Sequence, residues 1–440
     1  MNIDTMVNKM KLLFLDAYFE PETIAFTHLE NDLIEGLIAD GHKIDVICPI
    51  PTRSISNDVY EKYWSLRRES LYGGYVCVTR FWAPREGKNL ILRAFRYFWC
   101  NFQTYRIAMR VKNIDLVFSN STPPTQGMLS ALAVKKLSNK YEKKVPFIYN
   151  LQDIFPDSLV STGLTKKGSL LWKIGRKIEN YTYQNADKII VISEGFKRNL
   201  LAKGVPKEKI EVISNWIDLN SVHPISREEN NLLSEFSIDP KKFLVVYAGN
   251  FGASQGADII LKAAEKLKGQ PDIQFVIFGG GAYFEEAKRT AETLDNVFVH
   301  DLMPADRISE VYSLGDVALI TCKPGTGNAG MPSKTWSIMA CNTPIIASFD
   351  TDSDLADVIR DSKAGVCVEP GNVQELLDAI KAKYQLWKLG IKKGLNLREY
   401  VKENASKEKC VGRYIEVIIS TCTINENYFS PHIGEYGDIK

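Results

Sequence analysis

VALITCKPGTGNAGMPSKTWSIMACNTPII (residues 317–346) reads as strand, glycine-bearing loop, helix, strand. The apolar runs at its two ends carry β-branched residues at strand length, and the loop Lys323–Gly330 between them holds Gly325, Gly327 and Gly330. Pro332 and Ser333 open the helix, with Ser333 as the expected N-cap. Trp336, Met339 and Ala340 share one face by their spacing and belong to a core, while Asn342 suits a left-handed cap before Pro344. Lys334 is out of place in the first turn, because a cation there opposes the helix dipole by roughly 0.3–1 kcal/mol. An anion at that end reverses the balance, since each charge-assisted hydrogen bond contributes about 1.5–3 kcal/mol. The alternative is a lysine in solvent, the usual place for one.

The same unit repeats outward in both directions. FLVVYAGN, IQFVIFGGG and NVFVHD precede it and AGVCVEP follows, with helical stretches between. Upstream, KLLFLDA, IDVICPI, YVCVTRFW, DLVFSNS, PFIYNL, DKIIVIS and KIEVISNW form an earlier series. Leu29, Leu33 and Leu37 set the first helix at helical spacing, closed by Gly41. Alternating strands and helices predict parallel sheets with crossover helices. The expected fold class is α/β, with two doubly wound Rossmann-like domains facing a cleft, where ligands meet the carboxyl ends of the strands. The expected boundaries are residues 11–218, a polar linker at 219–241, a second domain at 242–395, helices at 396–420 and a tail without periodicity at 421–440.

With 440 residues, 45% hydrophobic and 25% charged, and a formal charge of +2, the chain is a folded two-domain protein with no bias toward nucleic acid. Its eight cysteines are scattered without a CxxC pair and suit buried free thiols in a reducing compartment. MNIDTMVNKM lacks an apolar signal core, and no uncharged run nears the ~20 residues that span a bilayer. A cytoplasmic protein is expected, at most peripheral on the inner face of the plasma membrane.

Three loops of the second half bear glycine directly after a strand: Gly249-Asn250-Phe251-Gly252-Ala253-Ser254-Gln255-Gly256, Gly279-Gly280-Gly281, and Lys323–Gly330. Glycines at one sheet edge let backbone N–H groups approach a phosphate-bearing ligand. None is GxxxxGK[ST], and GNFGASQG is not GxGxxG, so a P-loop NTPase and an NAD enzyme are disfavoured.

In YAGNFGASQGADIILKAAEKL, FVIFGGG, NVFVHDLMPADRISEVYSLGDVALI, GMPSKTWSIMACNTPIIA and AGVCVEPGN, the second half resembles the donor domain of family 4 glycosyltransferases of the GT-B fold, closest to the bacterial O-antigen and capsule branch. The first half resembles the acceptor domain through LDAYFEPETIAFTHLENDLIEGLIADGHKIDVICP, NLQDIFPDS and ADKIIVISEGFKRNLLAKGVPKEKIEVISNWID. The resemblance covers roughly residues 11–420 and implies a C-terminal helix crossing back to the first domain. It also implies retaining transfer from a nucleotide-sugar, with no obligatory metal or cofactor. The catalytic work is then positioning and stabilising the leaving diphosphate.

The positions implied for the nucleotide-sugar are Gly249, Asn250, Gly252, Gln255, Gly279, Gly280, Asp301, Leu302, Met331, Ser333, Lys334 and Ser337. Lys334 and Asp153 carry the catalytic assignment, Asp153 by orienting a sugar hydroxyl. Glu20, Glu22, Thr23 and Thr27 are placed on the acceptor side, with His28 as a weaker candidate there. Two departures stand out. Asn250 and Gln255 replace a basic pair that many members carry, and Ala329 and Ser337 replace paired glutamates, the second of which commonly holds the ribose. DTDSD (350–354) is read as helix-capping acids rather than a metal motif.

Residues 80–112 hold Arg80, Arg85, Lys88, Arg93, Arg96, Arg106, Arg110 and Lys112 against one acid, Glu86, with aromatics interleaved. That pattern suits an anionic inner membrane surface delivering a lipid-linked acceptor. The expected activity is transfer of a hexose or N-acetylhexosamine from a UDP-sugar to a polyprenyl-diphosphate-linked saccharide in surface polysaccharide synthesis. The alternative is a weak or inactive GT-B partner in an assembly complex.

Overall fold

The computed structural model describes residues 9–22, 26–53, 55–85, 90–161, 163–391 and 396–427. The first domain is built on an eight-stranded sheet. Its strands are β1 (Lys11–Leu15), β2 (Lys43–Pro49), β3 (Arg68–Leu71), β4 (Val76–Phe81), β5 (Leu116–Asn120), β6 (Phe147–Leu151), β7 (Lys188–Val191) and β8 (Ile210–Val212). They run in the order β3-β4-β2-β1-β5-β6-β7-β8, parallel except for β3 against β4. The expected strands form because their apolar runs are buried on both faces, which a parallel sheet between two helical layers requires. β3 was not foreseen: RESL is a charged, half-exposed edge strand with no apolar alternation to announce it.

The second sheet holds β9 (Phe243–Asn250), β10 (Ile273–Gly280), β11 (Val297–Asp301), β12 (Val317–Thr321), β13 (Ile345–Ser348) and β14 (Gly365–Val368). All pairings are parallel, in the order β11-β10-β9-β12-β13-β14. The order reverses between β9 and β12, and in the first sheet between β1 and β5. Such reversals open a crevice at the carboxyl end of the strands. Core residues line both faces of each sheet.

Residues 219–241 are not a free linker. Val222, Leu232 and Ile238 are buried in the second core, Asn230 caps a short helix (Asn231–Glu235), and Arg227 pairs with Asp316 at 2.8 Å. Their apolar residues are spaced too irregularly for a periodicity to show. The two passages between domains run side by side: the Ile217 N–H donates to the Ala405 carbonyl (3.0 Å) and the Lys407 N–H to the Ile217 carbonyl (3.1 Å).

The helix Leu397–Asn404 buries Leu397 and Val401 in the second core, and the helix Lys407–Asn427 then crosses to the first domain. Val411, Tyr414 and Ile418 pack there against Leu29, Leu33 and Leu37 of the helix Thr27–Ala39. Gly36 permits this approach, because a β-carbon there would overlap Val411. The helix continues to Asn427, so 421–427 are helical where a tail was expected; 428–440 lie outside the described residues.

Candidate functional site

The crevice between β9 and β12 is built around Lys334, the first residue of the helix Lys334–Ala340. Trp336, Ile338, Met339 and Ala340 bury the inner side of that helix, which fixes where Lys334 starts. Its ammonium stands 4.6 Å from the centre of the Tyr247 ring and fills the space a β-carbon on Gly249 would take. Tyr247 is fully buried within β9, with its hydroxyl donating to the Asn250 carbonyl at 3.2 Å. No carboxylate pairs with Lys334 among the described residues. The residue is half-buried, and desolvation of its ammonium alone draws the pKa down to about 8. A desolvated cation with only an aromatic face beneath it is a receptor for an anion.

The glycine loops converge because they need one another. The Phe251 N–H donates to the Gly280 carbonyl (2.7 Å) and the Lys323 N–H to the Ser254 carbonyl (2.9 Å). A β-carbon on Gly256 would meet the Cys322 backbone, one on Gly279 the rings of Phe284 and Phe251, and one on Gly281 the Asn250 amide. Asp350 ties down the third loop by accepting from Gly325 N–H (2.9 Å) and Gly327 N–H (2.7 Å).

Several expected residues sit differently. Ser333 precedes the helix with φ −58 and ψ −32, and its exposed hydroxyl makes no cap; helical dihedrals at that position turn the oxygen from the N–H groups it should reach. Ser337 is buried, Met331 packs half-buried on the core, and Gly252 and Gln255 lie half-buried in the first loop. Asp301 is exposed and bound to Lys288 at 2.9 Å, with Leu302 exposed beside it.

Asp153 follows β6 and opens to solvent, with its N–H 3.3 Å from the Ser121 hydroxyl. The surrounding protein raises its carboxyl above the usual range, against a bond from Ser158. Glu20 is half-buried, and its carbonyl accepts from Arg80 at 2.6 Å. Glu22 turns inward: it is buried and accepts from the N–H groups of Thr52 (2.6 Å) and Arg53 (2.8 Å), so it shapes the loop rather than facing the cleft. Thr27 is buried at the helix start, His28 is exposed, and Thr23 lies outside the described residues.

The stretch 80–112 divides. Arg80 and Arg96 are buried, the first 4.6 Å over the Tyr63 ring and the second on the Pro84 carbonyl, so neither can serve a surface. Lys88 and Glu86 lie outside the described residues. Phe95, Phe98 and Phe102 stand exposed along the helix Leu90–Ala108.

The first crevice holds a cluster the sequence did not reveal. Asp16 follows β1, and its carboxylate accepts from the Asn120 amide at 2.8 Å. Glu30 accepts from the same amide at 3.4 Å, and Asn150 donates to the Asn120 oxygen at 2.7 Å. Tyr414, on the crossing helix, donates to Asn150 at 3.0 Å. Burial pushes the Asp16 carboxyl up to about 6 and raises Glu30 well above its usual range, since two buried carboxylates cannot both ionise easily. The only local signal was polar residues ending two apolar strands, Asp16 and Asn120.

The two domains also touch at the cleft lip. The Asp354 carboxylate accepts from the Gly195 N–H at 2.7 Å and lies 3.3 Å from the Arg198 guanidinium. Asp350 and Asp354 thus point to different backbones. No three His, Cys, Asp or Glu side chains converge as metal ligands among the described residues.

The family model described as "Glycosyl transferases group 1" matches residues 229–408, and that described as "Glycosyltransferase Family 4" matches residues 31–221. The "Putative colanic acid biosynthesis glycosyl transferase WcaI" of Escherichia coli (strain K12) is 24% identical over 93% of this chain and 100% of its own length. The "Probable glycosyltransferase WbjE" of Pseudomonas aeruginosa is 25% identical over 68% of this chain and 74% of its own. Among solved structures, sucrose-phosphate synthase from Thermosynechococcus elongatus superposes with a TM-score of 0.72 at 15% identity, covering 94% of this chain and 100% of that one. Anabaena HepE in complex with UDP superposes with a TM-score of 0.67 at 17% identity, over 93% of this chain and 100% of that one. Two matched halves in one order, and two sheets that each reverse at a crevice, lead to one conclusion: this chain belongs to glycosyltransferase family 4 and has the GT-B fold.

Proposed function

We propose that the chain transfers a hexose or N-acetylhexosamine, with retention and without an obligatory metal, from a UDP-linked sugar to a lipid-linked saccharide in surface polysaccharide synthesis. The observation that carries this reading is the half-buried ammonium of Lys334, without a carboxylate partner among the described residues, beside Gly249 at the β9/β12 crevice. A diphosphate placed there meets the cation and the backbone of the glycine loops. It leaves as the glycosidic bond breaks, and its developing charge is what such a site stabilises. The relative named for colanic acid biosynthesis supports the polysaccharide setting, and the neighbour solved with UDP supports this donor class. Asp153, open on the facing domain, is positioned to accept a hydrogen bond from a sugar hydroxyl. The exposed phenylalanines of the helix Leu90–Ala108 suit a protein peripheral on the inner membrane face, where a polyprenyl-diphosphate acceptor would lie.

Calorimetric titration with UDP and GDP tests the donor. Micromolar binding of UDP that is lost in Lys334→Ala is expected, and a well-folded protein that binds neither nucleotide overturns the reading. One observation favours the second reading, a weak or inactive partner: a buried serine stands at 337, where the family commonly has a glutamate for the ribose. Turnover of labelled UDP-sugars with membrane extract separates the two.

A further inference from the structure

A second apolar surface lies outside the 80–112 stretch. Residues 163–178, GLTKKGSLLWKIGRKI, complete the loop after β6 and open the helix Leu170–Asn185. Leu164 and Leu170 are 73% and 76% exposed, with Leu171 and Ile174 near half. One exposed leucine needs no explanation, but four large aliphatics within a dozen residues do. Lys166, Lys167, Lys173 and Lys177, all exposed, are interleaved with them, and the stretch contains no acid. The outward face is held in place. Ser169 accepts from the Trp172 N–H at 3.2 Å, and Gly175 seats the inner side on Phe155 and Pro156, where a β-carbon would not fit.

This surface has a companion. The helix Gln126–Tyr141 packs between the helices Leu90–Ala108 and Leu170–Asn185, and all three cover the sheet face opposite Thr27–Ala39 and Lys407–Asn427. With helices spaced ~8–10 Å apart, the two apolar sets stand roughly 20 Å from each other, with exposed Leu132 between them. Helices after parallel strands start at the carboxyl edge of the sheet, so Leu170 and Leu171 stand at the cleft rim, on the connection that begins with Asp153.

We propose that residues 164–177 are a second membrane anchor, made for the interface of a bilayer rich in anionic phospholipid, which with Phe95, Phe98 and Phe102 holds the rim near Asp153 at the lipid surface. The inference rests on the reading above that the acceptor is lipid-linked. Charge of one sign with long aliphatic stems matches an anionic headgroup layer, into which leucines insert while lysines stay at the surface. Two weak sites on one rigid body also bind far more tightly than either alone, and they fix orientation.

Flotation of the full chain with phosphatidylcholine vesicles, with and without phosphatidylglycerol, tests it. The variants are Leu170→Ser/Leu171→Ser/Ile174→Ser, Lys166→Glu/Lys167→Glu and Phe95→Ser/Phe98→Ser/Phe102→Ser. The expected result is salt-sensitive binding only to phosphatidylglycerol vesicles, reduced about tenfold or more in each variant. Wild-type-like binding by both 164–177 variants overturns the second anchor even if the phenylalanine variant fails. A wild-type chain that ignores vesicles but self-associates through this face in light scattering also overturns it. UDP affinity, measured on the same samples, depends on the other domain; its absence with vesicle binding intact refutes the functional reading alone.

Discussion

The ammonium of Lys334 packs directly against Gly249: the cation stands where a side chain on residue 249 would begin. That contact makes Gly249 a condition for the anion site. Gly249→Ala should push the ammonium off the Tyr247 ring and weaken UDP binding by about tenfold or more, the scale of one lost charge-assisted hydrogen bond. Titration with UDP checks this, beside a melting curve showing the variant folded.

A desolvated cation with no carboxylate partner among the described residues is a burden on the empty protein. Lys334→Met keeps the apolar stem and removes the charge, so the ligand-free variant should be more stable by on the order of 1 kcal/mol. Its UDP affinity should fall at least tenfold. Denaturant titrations without ligand and calorimetry with UDP read the two opposed effects.

The lowered pKa of Lys334, about 8, gives both effects a pH signature. UDP needs the protonated amine, so affinity should hold below pH 8 and fall as pH rises above it. The unfolded chain, with an ordinary lysine pKa, keeps this proton above pH 8 where the folded one loses it, so the contribution of Lys334 to the stability of the ligand-free protein should rise with pH from about 8 to 10. Both contributions should appear as the difference between the wild-type and Lys334→Met curves.

Asp354 joins the domains through Gly195 and Arg198 at the cleft lip. Asp354→Ala should favour the open cleft, with a larger radius of gyration by X-ray scattering and a several-fold higher KM for the donor. Global stability should change by less than about 1 kcal/mol, because the Arg198 partner is exposed.

Glu30 and Asp16 lie buried with raised carboxyl pKa values. The folded state therefore holds their protons more tightly than the unfolded one. Their stabilising contribution is full below the ordinary carboxylate range and is lost as pH rises through about 6 and beyond. Glu30→Gln, whose amide can donate to Asp16, should raise the melting temperature at pH 8 and leave it nearly unchanged at pH 4.5. Paired melting curves decide it.

The strands and helices were legible because each announces itself locally, by apolar residues at period two or near 3.6. β3 and the 219–241 segment were not, since one is a charged edge and the other packs through isolated apolar residues. Of the site, Lys334 and the glycine loops could be read as a constellation, because a lysine in a first turn contradicts the dipole. Ser333 was misread as a working cap because residue type alone does not fix its dihedrals. Glu22 is acidic and follows the first strand, yet it serves Thr52 and Arg53, partners that only the folded loop brings near.

By itself the sequence determined two parallel α/β halves and which loops bear glycine, since both follow from short-range periodicity and turn chemistry. Tertiary structure alone decided that the Lys334 ammonium would sit over Tyr247 with no counter-charge among the described residues, that Asp16 and Glu30 would meet at Asn120, and that Asp354 would reach Gly195. Burial and charge pairing depend on which sheet edges come together, and no local pattern encodes that.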